Sequence, residues 1–218
     1  MTFSVWLDSA FSTFDSNILS AMHRLALSSS GVFTPLMEFV SLFGTKGIFS
    51  ITLGVLFLLF AKTRKTGVAV LVSVIVSALI CNATLKPLVD RYRPYTKSPF
   101  AEWWGIVGAH LESDRSFPSG HVNNITAVLV SIFLFSKNKC YTWPLFLGIP
   151  LMCLSRIYLM VHYPTDVIAG AFTGFISAVI GFFITRAIYA IIVKNKHKSF
   201  CDFFLNFDIM LISNKKRT

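Results

Sequence analysis

The chain has 218 residues, of which 54% are hydrophobic and only 14% are charged, and its formal net charge is +10. Soluble domains carry about 25% charged residues, so this composition indicates a membrane protein and excludes an ordinary soluble enzyme. The basic residues lie mostly in short segments between apolar runs. Such segments are typical of the flanks of membrane spans, which argues against a nucleic-acid partner.

The cysteines predict neither a disulfide framework nor a metal centre. Cys81 and Cys153 fall inside apolar runs, Cys140 lies in a short loop, and Cys201 follows the last apolar run. None of them has the C-x-x-C spacing of a zinc or redox site. We therefore expect four free thiols and no bound metal or cofactor.

The N-terminal part of the chain, residues 1–46, is predicted to be an interfacial region. Within residues 1–29, apolar side chains recur every three or four positions, which is the spacing of an amphipathic helix. Such a helix can lie on the membrane surface or pack on a helix bundle, and the sequence leaves both open. Residues 31–43 are apolar but shorter than the roughly 20 residues of a span, so an interfacial or re-entrant segment is expected. The alternative, one tilted span over 17–43, would bury Arg24.

Five apolar runs follow, and we interpret each of them as a membrane-spanning helix. They cover residues 47–61, 66–85, 121–136, 142–160 and 165–193. The predicted fold is all-α, a polytopic transmembrane helix bundle of about five or six spans with N-terminal interfacial amphipathic helices. We expect one domain over 1–218, in which 47–193 form the bundle and 194–218 a cytoplasmic tail. Gly170 and Gly174 stand four residues apart in the last span, a spacing that permits close helix packing.

Basic clusters after alternate spans predict the orientation in the membrane. They lie at residues 62–65, 137–139 and 194–198, after the first, third and fifth spans, and so on one side. The positive-inside rule makes that side the cytoplasm of a cell in whose plasma membrane the protein lies. The joints at 86–119 and 156–166 then face outward although they also carry basic residues. Because charge at a membrane edge is costly, these outward residues predict a functional site.

The outward joints carry cations that can bind an anion: Lys86, Arg93, Arg115 and Arg156. Arginine donates in a fork that matches phosphate oxygens. Ser119 and Gly120 precede the third span, where serine caps a helix, glycine permits close backbone approach, and free N–H groups favour an anion. We therefore predict a phosphate-binding pocket, since these cations would repel a metal ion.

Two histidines and one aspartate in the same joints supply acid–base and nucleophilic groups. His162 and Asp166 are four residues apart at the predicted start of the fifth span, so the carboxylate can reach one ring nitrogen. This contact would orient the imidazole and leave its other nitrogen as a nucleophile. His121 can then act as a general acid. The alternative interpretation is that all three are capping and snorkelling residues at the membrane edge.

These residues together resemble a known family signature. The chain carries three segments in order: Lys86-x6-Arg93-Pro94, Pro118-Ser119-Gly120-His121 and Ser155-Arg156-x5-His162-x3-Asp166. They are similar to the three-part signature of the type 2 phosphatidic acid phosphatase superfamily, whose membrane branch contains the lipid phosphate phosphatases. The resemblance covers roughly residues 47–190, with the site confined to 86–166.

The resemblance implies a metal-independent phosphatase without a cofactor, whose catalytic part is the helix bundle. His162 would attack phosphorus and form a phosphohistidine, with Asp166 supporting it. His121 would protonate the leaving alcohol and then activate water. The implied phosphate-binding residues are Lys86, Arg93, Ser119, Gly120 and Arg156.

The implied substrate is a lipid phosphate whose tail stays in the lipid bilayer. Candidates are phosphatidate, phosphatidylglycerol phosphate and undecaprenyl diphosphate. Two alternatives stay open: a lipid phosphotransferase on the same scaffold, and a non-catalytic lipid-binding or transport protein. The sequence predicts no oligomeric state.

Other polar residues match no part of the signature. We interpret His23, His110 and His197 as structural. The charged residues of the outward loop are expected to face solvent; they are Glu102, Glu112, Asp114 and Arg115.

Overall fold

The computed structural model describes residues 2–209, and this part of the chain is helical, without strands. Two helices, α1 (Phe3–Ala10) and α2 (Ser12–Ser28), come first. The remaining α-helices are α3 (Thr34–Leu42), α4 (Ile48–Leu58), α5 (Arg64–Ser77), α6 (Lys86–Val89), α7 (Phe100–Ile106), α8 (Gly120–Phe135), α9 (Lys139–Thr142), α10 (Gly148–Tyr158), α11 (Pro164–Lys194) and α12 (Ser199–Asn206). The predicted all-α fold is confirmed.

The predicted multi-pass architecture is also confirmed. Within residues 2–209, four helical segments are long and apolar enough to cross a membrane: Thr34–Leu58, Arg64–Thr96, Lys139–Tyr158 and Pro164–Lys194. The helix α8 is apolar but has only 16 residues, and most of its side chains are buried by the other helices. Each of the five predicted spans therefore corresponds to one of these five segments.

Residues 31–43, predicted to be an interfacial or re-entrant segment, contribute the short helix α3, which begins with Pro35 in its first turn. A break at Thr45–Gly47, where Lys46 and Gly47 are left-handed, separates α3 from α4. By length and composition, α3 and α4 together could cross a membrane, so the interfacial position of α3 stays a prediction. The alternative single span over 17–43 is not formed, since α2 ends at Ser28.

The amphipathic N-terminal region folds as α1 and α2, which point their aromatic side chains outward. Phe3 is 51% exposed and Trp6 is 46% exposed, whereas Asp15 is buried on the opposite side. The helix α2 packs against α10 and α11. The region is therefore packed on the bundle while it presents an aromatic surface, as a helix at a membrane interface does.

The long helix α11 organises the bundle and packs closely along α8 and α5. A Cβ atom on Gly170 would lie 2.6 Å from the carbonyl oxygen of Ser119, and one on Gly174 would lie 2.4 Å from that of Asn123. Only glycine permits such a close approach, so the predicted role of this pair in helix packing is confirmed. The contact fixes the beginning of α8 against α11.

The described part of the tail folds back onto the turn between α4 and α5. The Arg64 guanidinium donates to the carbonyl oxygen of Leu205 at 3.1 Å, and the Ile209 N–H donates to that of Leu59 at 3.1 Å. The remainder of the predicted tail, 210–218, lies outside the described residues.

Candidate active site

The site forms where four helical segments end at the same end of the bundle. The second span reaches it at Lys86, and α8 begins there at Gly120. The helix α10 ends just after Arg156, and Asp166 lies in the first turn of α11. Antiparallel connectivity thus brings together segments that are up to 80 residues apart in sequence, from Lys86 to Asp166.

Lys86 is positioned by an unusual helical geometry. The helix α5 passes into a π-helical stretch, Ala78–Leu85, directly before Lys86. Wider turns of this kind are frequent at functional sites. The Lys86 side chain is only 7% exposed, and its ammonium group contacts the carboxylate of Asp114. A buried cation is therefore held in the wall of the site.

Arg93 connects three segments through its guanidinium group. Its Nη1 donates to the carbonyl oxygen of Val161 at 2.8 Å, and its Nε donates to that of Asp114 at 2.9 Å. Its Nη2 contacts the Asp114 carboxylate. The same Nη1 lies 3.3 Å from Nε2 of His162. An anion beside Arg93 would therefore also lie beside this ring nitrogen.

Arg156 is nearly completely buried and contacts the Ser41 hydroxyl and the Glu112 carboxylate. Its Nε atom is buried without a hydrogen-bond partner among residues 2–209. Buried donors are rarely left unpaired in proteins. This N–H is therefore available to an oxygen atom of a bound anion.

Ser119 and Gly120 form the beginning of α8 beside these cations. The Ser119 hydroxyl is buried and has no partner in the described part of the chain, while its N–H donates to the carbonyl oxygen of Asp166 at 3.0 Å. A Cβ atom on Gly120 would lie 3.6 Å from Nζ of Lys86. Helix N-termini have unpaired N–H groups that favour an anion. The predicted phosphate-binding residues are thus brought together.

The His162 imidazole is 1% exposed and is contacted from both edges. Its Nδ1 lies 3.5 Å from the Ser116 hydroxyl and 3.6 Å from Oδ2 of Asp166. Its Nε2 faces Arg93. Burial, and then the positive charge of Arg93, hold the pKa of His162 well below its ordinary value. The ring is therefore neutral near pH 7 and can offer Nε2 as a base or nucleophile.

The contact between His162 and Asp166 differs from the direct hydrogen bond predicted from their spacing. At 3.6 Å the two atoms are beyond hydrogen-bonding distance, and the Ser116 hydroxyl instead donates to the Asp166 carboxylate. The Asp166 carboxylate also accepts the N–H of Tyr163 at 2.9 Å. The carboxylate is thus fixed at the start of α11, with Ser116 beside both groups.

Arg91 is a further contact of Asp166 that the sequence did not predict. Its Nη1 lies 2.6 Å from Oδ1 of Asp166, its Nη2 lies 2.9 Å from Asp15, and its Nε lies 2.8 Å from Asp8. Asp15 in turn accepts the N–H of Thr165 at 3.0 Å. Hence α1 and α2 are connected to the carboxylate that lies behind His162.

His121 is the second residue of α8 and lies against the α3–α4 connection. A Cβ atom on Gly44 would lie 2.6 Å from Cδ2 of its ring, so the Gly44 backbone packs on the imidazole. His121 borders a cavity of about 880 Å³, together with Lys86, Arg93 and Arg156. It therefore shares with the three cations a space large enough for a lipid headgroup.

Two carboxylates of the outward loop face both the solvent and the cations of the site. Asp114, whose side chain is 48% exposed, bridges Lys86 and Arg93, and Glu112, whose side chain is 26% exposed, contacts Arg156. Although burial raises the pKa of Asp114, hydrogen bonds and charge from Lys86 and Arg93 hold it below its ordinary value. Asp114 is exposed as expected, and the sequence did not predict that the loop supplies counter-ions to the buried cations.

The fold and this arrangement of histidines and cations define a multi-pass membrane phosphatase. Residues 66–196 match the family model of the PAP2 superfamily, which spans α5 to α11 and includes every residue of the predicted site. The chain belongs to the PAP2 superfamily, and the resemblance stated from the three-part signature is confirmed.

Similar proteins with known names are membrane lipid phosphatases. The chain is 31% identical over 167 residues to lipid A 4'-phosphatase of Porphyromonas gingivalis, covering 73% of this chain and 70% of that protein. It is 32% identical over 142 residues to undecaprenyl-diphosphatase of Sulfolobus acidocaldarius, covering 64% of each. The predicted activity class, hydrolysis of a lipid phosphate, agrees with these names.

Two solved structures share the fold. One is the PAP2-type phosphatidylglycerolphosphate phosphatase of Bacillus subtilis, with a TM-score of 0.64, 23% identity, and coverage of 85% of this chain and 94% of that one. The other is LpxE of Aquifex aeolicus, with a TM-score of 0.53, 22% identity, and coverage of 69% and 86%. Both support the arrangement of the helices.

Proposed function

We propose that this protein hydrolyses the phosphomonoester or diphosphate of a membrane lipid through a phosphohistidine on His162. The observation that carries the proposal is the position of Nε2 of His162, 3.3 Å from Arg93 and backed on its other edge by Ser116 and Asp166. The neutral ring, held by polar contacts behind it, is an oriented nucleophile beside a cation.

In the first step, Nε2 of His162 forms a bond to phosphorus while the bond to the leaving oxygen breaks. His121 donates a proton to that oxygen as general acid. Arg93, Arg156 and Lys86 stabilise the negative charge on the other phosphoryl oxygens, which is the main demand of phosphoryl transfer. Asp166 stabilises the positive charge that develops on the imidazole.

In the second step, water replaces the leaving group. His121, now without its proton, takes one from the water, and the resulting oxygen forms a bond to phosphorus. The bond between nitrogen and phosphorus breaks, and inorganic phosphate leaves. His162 and His121 are thereby returned to their starting protonation states.

Loop residues 110–114 line this site, and two of them form ion pairs with its cations. A phosphate that binds between Lys86 and Arg93 replaces the carboxylate of Asp114 there, and one that reaches Arg156 replaces Glu112. Substrate binding therefore includes movement of this loop away from the cations.

For the position in the membrane, we propose that the site faces outward and the C-terminal tail the cytoplasm. The support is the positive-inside rule, since the opposite end of the bundle carries basic residues after three spans. We also propose that 1–218 form one domain, in which the N-terminal helices act with the bundle 47–193. A site at the outer interface lets a water-soluble phosphate leave while the lipid stays in the bilayer.

The test is phosphate release by the purified protein in detergent from phosphatidate, phosphatidylglycerol phosphate and undecaprenyl diphosphate, with and without a chelator. We expect release from at least one lipid, insensitivity to the chelator, and loss of release in His162→Ala. His197→Ala, outside the site, is the control. Mass spectrometry of the lipids separates hydrolysis from transfer to another lipid. If His162→Ala released phosphate as fast as the parent protein, His162 would not be the nucleophile. If the parent protein released no phosphate from any of the lipids, the proposed phosphatase activity would be contradicted.

A further inference from the structure

The cavity extends from the three cations past His121 into a region lined by the α3–α4 connection and α8. Asn124 lies in this part of the wall, three residues after His121. At 1.5 Å rise per residue, it is about 4.5 Å farther along α8, away from the cations. Because His121 faces the leaving oxygen, Asn124 lies where the next group of the leaving lipid must pass.

The Asn124 amide has unused hydrogen-bonding capacity. Its residue is 8% exposed, and neither its Nδ2 nor its Oδ1 has a partner among residues 2–209. Leaving a buried amide without partners is energetically costly. A ligand in the cavity can supply the missing partners.

Lys46 lies on the opposite wall of the same part of the cavity. Residues on either side of Lys46 contact the residues of α8 that line this part of the cavity. Gly44 packs on the His121 ring, and a Cβ atom on Gly47 would lie 3.6 Å from Nδ2 of Asn124. Lys46 itself has φ of 48°, a left-handed conformation that is uncommon outside glycine. Non-glycine residues in such conformations cluster at functional sites.

Lys46 is a cation in the wall of the cavity that has no ion-pair partner among residues 2–209. Each other charged group there has a partner in the structure: Lys86 and Arg93 with Asp114, Arg156 with Glu112, and Glu38 with His110. Within residues 2–209, Lys46 makes no ion pair. A cavity with an unpaired ammonium group and an unpaired amide donor is suited to an anion.

We propose that Lys46 and Asn124 form a subsite for a second phosphate on the leaving-group side of the scissile phosphate. This inference rests on the proposed function and makes it more specific, because it selects lipid diphosphates over simple monophosphates. The terminal phosphate lies on Arg93 and Arg156, and the phosphate attached to the lipid lies on Lys46 and Asn124. When the bridging bond breaks, the leaving group is the lipid monophosphate, held by this subsite.

The experiment compares farnesyl diphosphate with farnesyl phosphate, two substrates that differ only in the second phosphate. The parent protein is expected to have the higher kcat/KM for the diphosphate. In Lys46→Gln and in Asn124→Leu, the ratio of kcat/KM for the diphosphate to kcat/KM for the monophosphate is expected to fall about tenfold. A loss of this size corresponds to one hydrogen bond to a charged group. Lys62→Gln, at the other end of the bundle, is the matched control and is expected to keep the parent ratio.

Binding gives a second measurement that does not require turnover. Inorganic diphosphate is expected to bind the parent protein more tightly than inorganic phosphate by calorimetry, and Lys46→Gln to remove that difference. If the variants lower kcat/KM equally for both substrates, the proposed subsite is contradicted. It is also contradicted if the parent protein binds inorganic diphosphate and inorganic phosphate with equal affinity. If the parent hydrolyses neither the farnesyl compounds nor any of the three lipids named above, but binds diphosphate through Lys46, the subsite is supported and the proposed function is overturned.

Discussion

Nη1 of Arg91 lies 2.6 Å from Oδ1 of Asp166, and both side chains are almost completely buried. The same guanidinium group holds Asp15 at 2.9 Å, and Asp15 accepts the N–H of Thr165 at 3.0 Å. The first turn of α11 is therefore fixed by a residue of α2. Since Asp166 lies behind His162, the N-terminal helices help to orient the proposed nucleophile.

We expect Asp15→Asn to lower kcat by about tenfold to a hundredfold while KM changes little, because small displacements of reacting groups are costly. The substitution keeps the shape of the side chain but removes the charge that holds Arg91. Steady-state kinetics with the best lipid substrate measures the effect. Asp8→Asn is the control, since Asp8 contacts Arg91 but not α11, and its kcat is expected to stay near the parent value. A rise in KM without a loss of kcat would contradict the positioning role.

The pH dependence follows from the lowered pKa of His162. The proposed nucleophile is the neutral ring, so activity is present above this pKa and is lost as the pH falls through it. Because the pKa lies well below its ordinary value, the acid limb of kcat/KM is expected well below pH of about 6.5. The ionisation of the substrate is measured separately by phosphorus NMR and divided out. An acid limb that stays at or above the ordinary histidine value would contradict a buried neutral His162.

The carboxylate of Asp114 competes with phosphate for Lys86 and Arg93. Asp114→Asn is therefore expected to strengthen inhibition by inorganic phosphate by about fivefold, or roughly 1 kcal/mol, as for a half-exposed ion pair. Glu102→Gln removes a charge from α7, near the same loop, and is expected to leave the inhibition constant unchanged. Weaker inhibition in Asp114→Asn would mean that Asp114 assists phosphate binding instead of opposing it.

The contact between α11 and α8 predicts a difference between two glycine substitutions. A Cβ atom at Gly174 would lie 2.4 Å from the carbonyl oxygen of Asn123, so Gly174→Ala must separate the helices and lower the melting temperature. Overpacking of this kind costs about 1–3 kcal/mol. Gly105→Ala in α7 meets no atom within 4 Å and is expected to be neutral or stabilising. Thermal unfolding in detergent measures both, and equal stability of the two variants would contradict the packing.

The residues predicted from sequence come together because the helix ends that carry them meet at one end of the bundle. Basic clusters after alternate spans and the polar joints between the others were sufficient to predict which ends meet. The signature residues Lys86, His121, Arg156, His162 and Asp166 could therefore be placed in one site without the structure. The break between α3 and α4 was not predicted, because the left-handed conformation of Lys46 is uncommon for a residue other than glycine.

The residues that were missed are those whose partners are distant in sequence. Ser116 contacts Asp166 across 50 residues, and Arg91 contacts Asp15 across 76, and no local pattern reports such pairs. One signal was available: Asp8 and Asp15 are seven residues apart and so share a face of an otherwise apolar helical pattern. Acidic residues on one face of such a helix predict a buried cation, which the structure identifies as Arg91.

The most direct test is a search for the covalent intermediate on His162. His121→Asn should slow hydrolysis of the intermediate, and p-nitrophenyl phosphate, whose leaving group needs no proton, bypasses the role of His121 in its formation. We therefore predict that this variant accumulates a phosphoryl group after mixing with p-nitrophenyl phosphate and quenching in base, where phosphohistidine survives. Peptide mass spectrometry should place the group on His162, and acid should remove it. His162→Ala should show none. A phosphoryl group on another residue, or phosphate release with no phosphoenzyme at any time, would contradict the account.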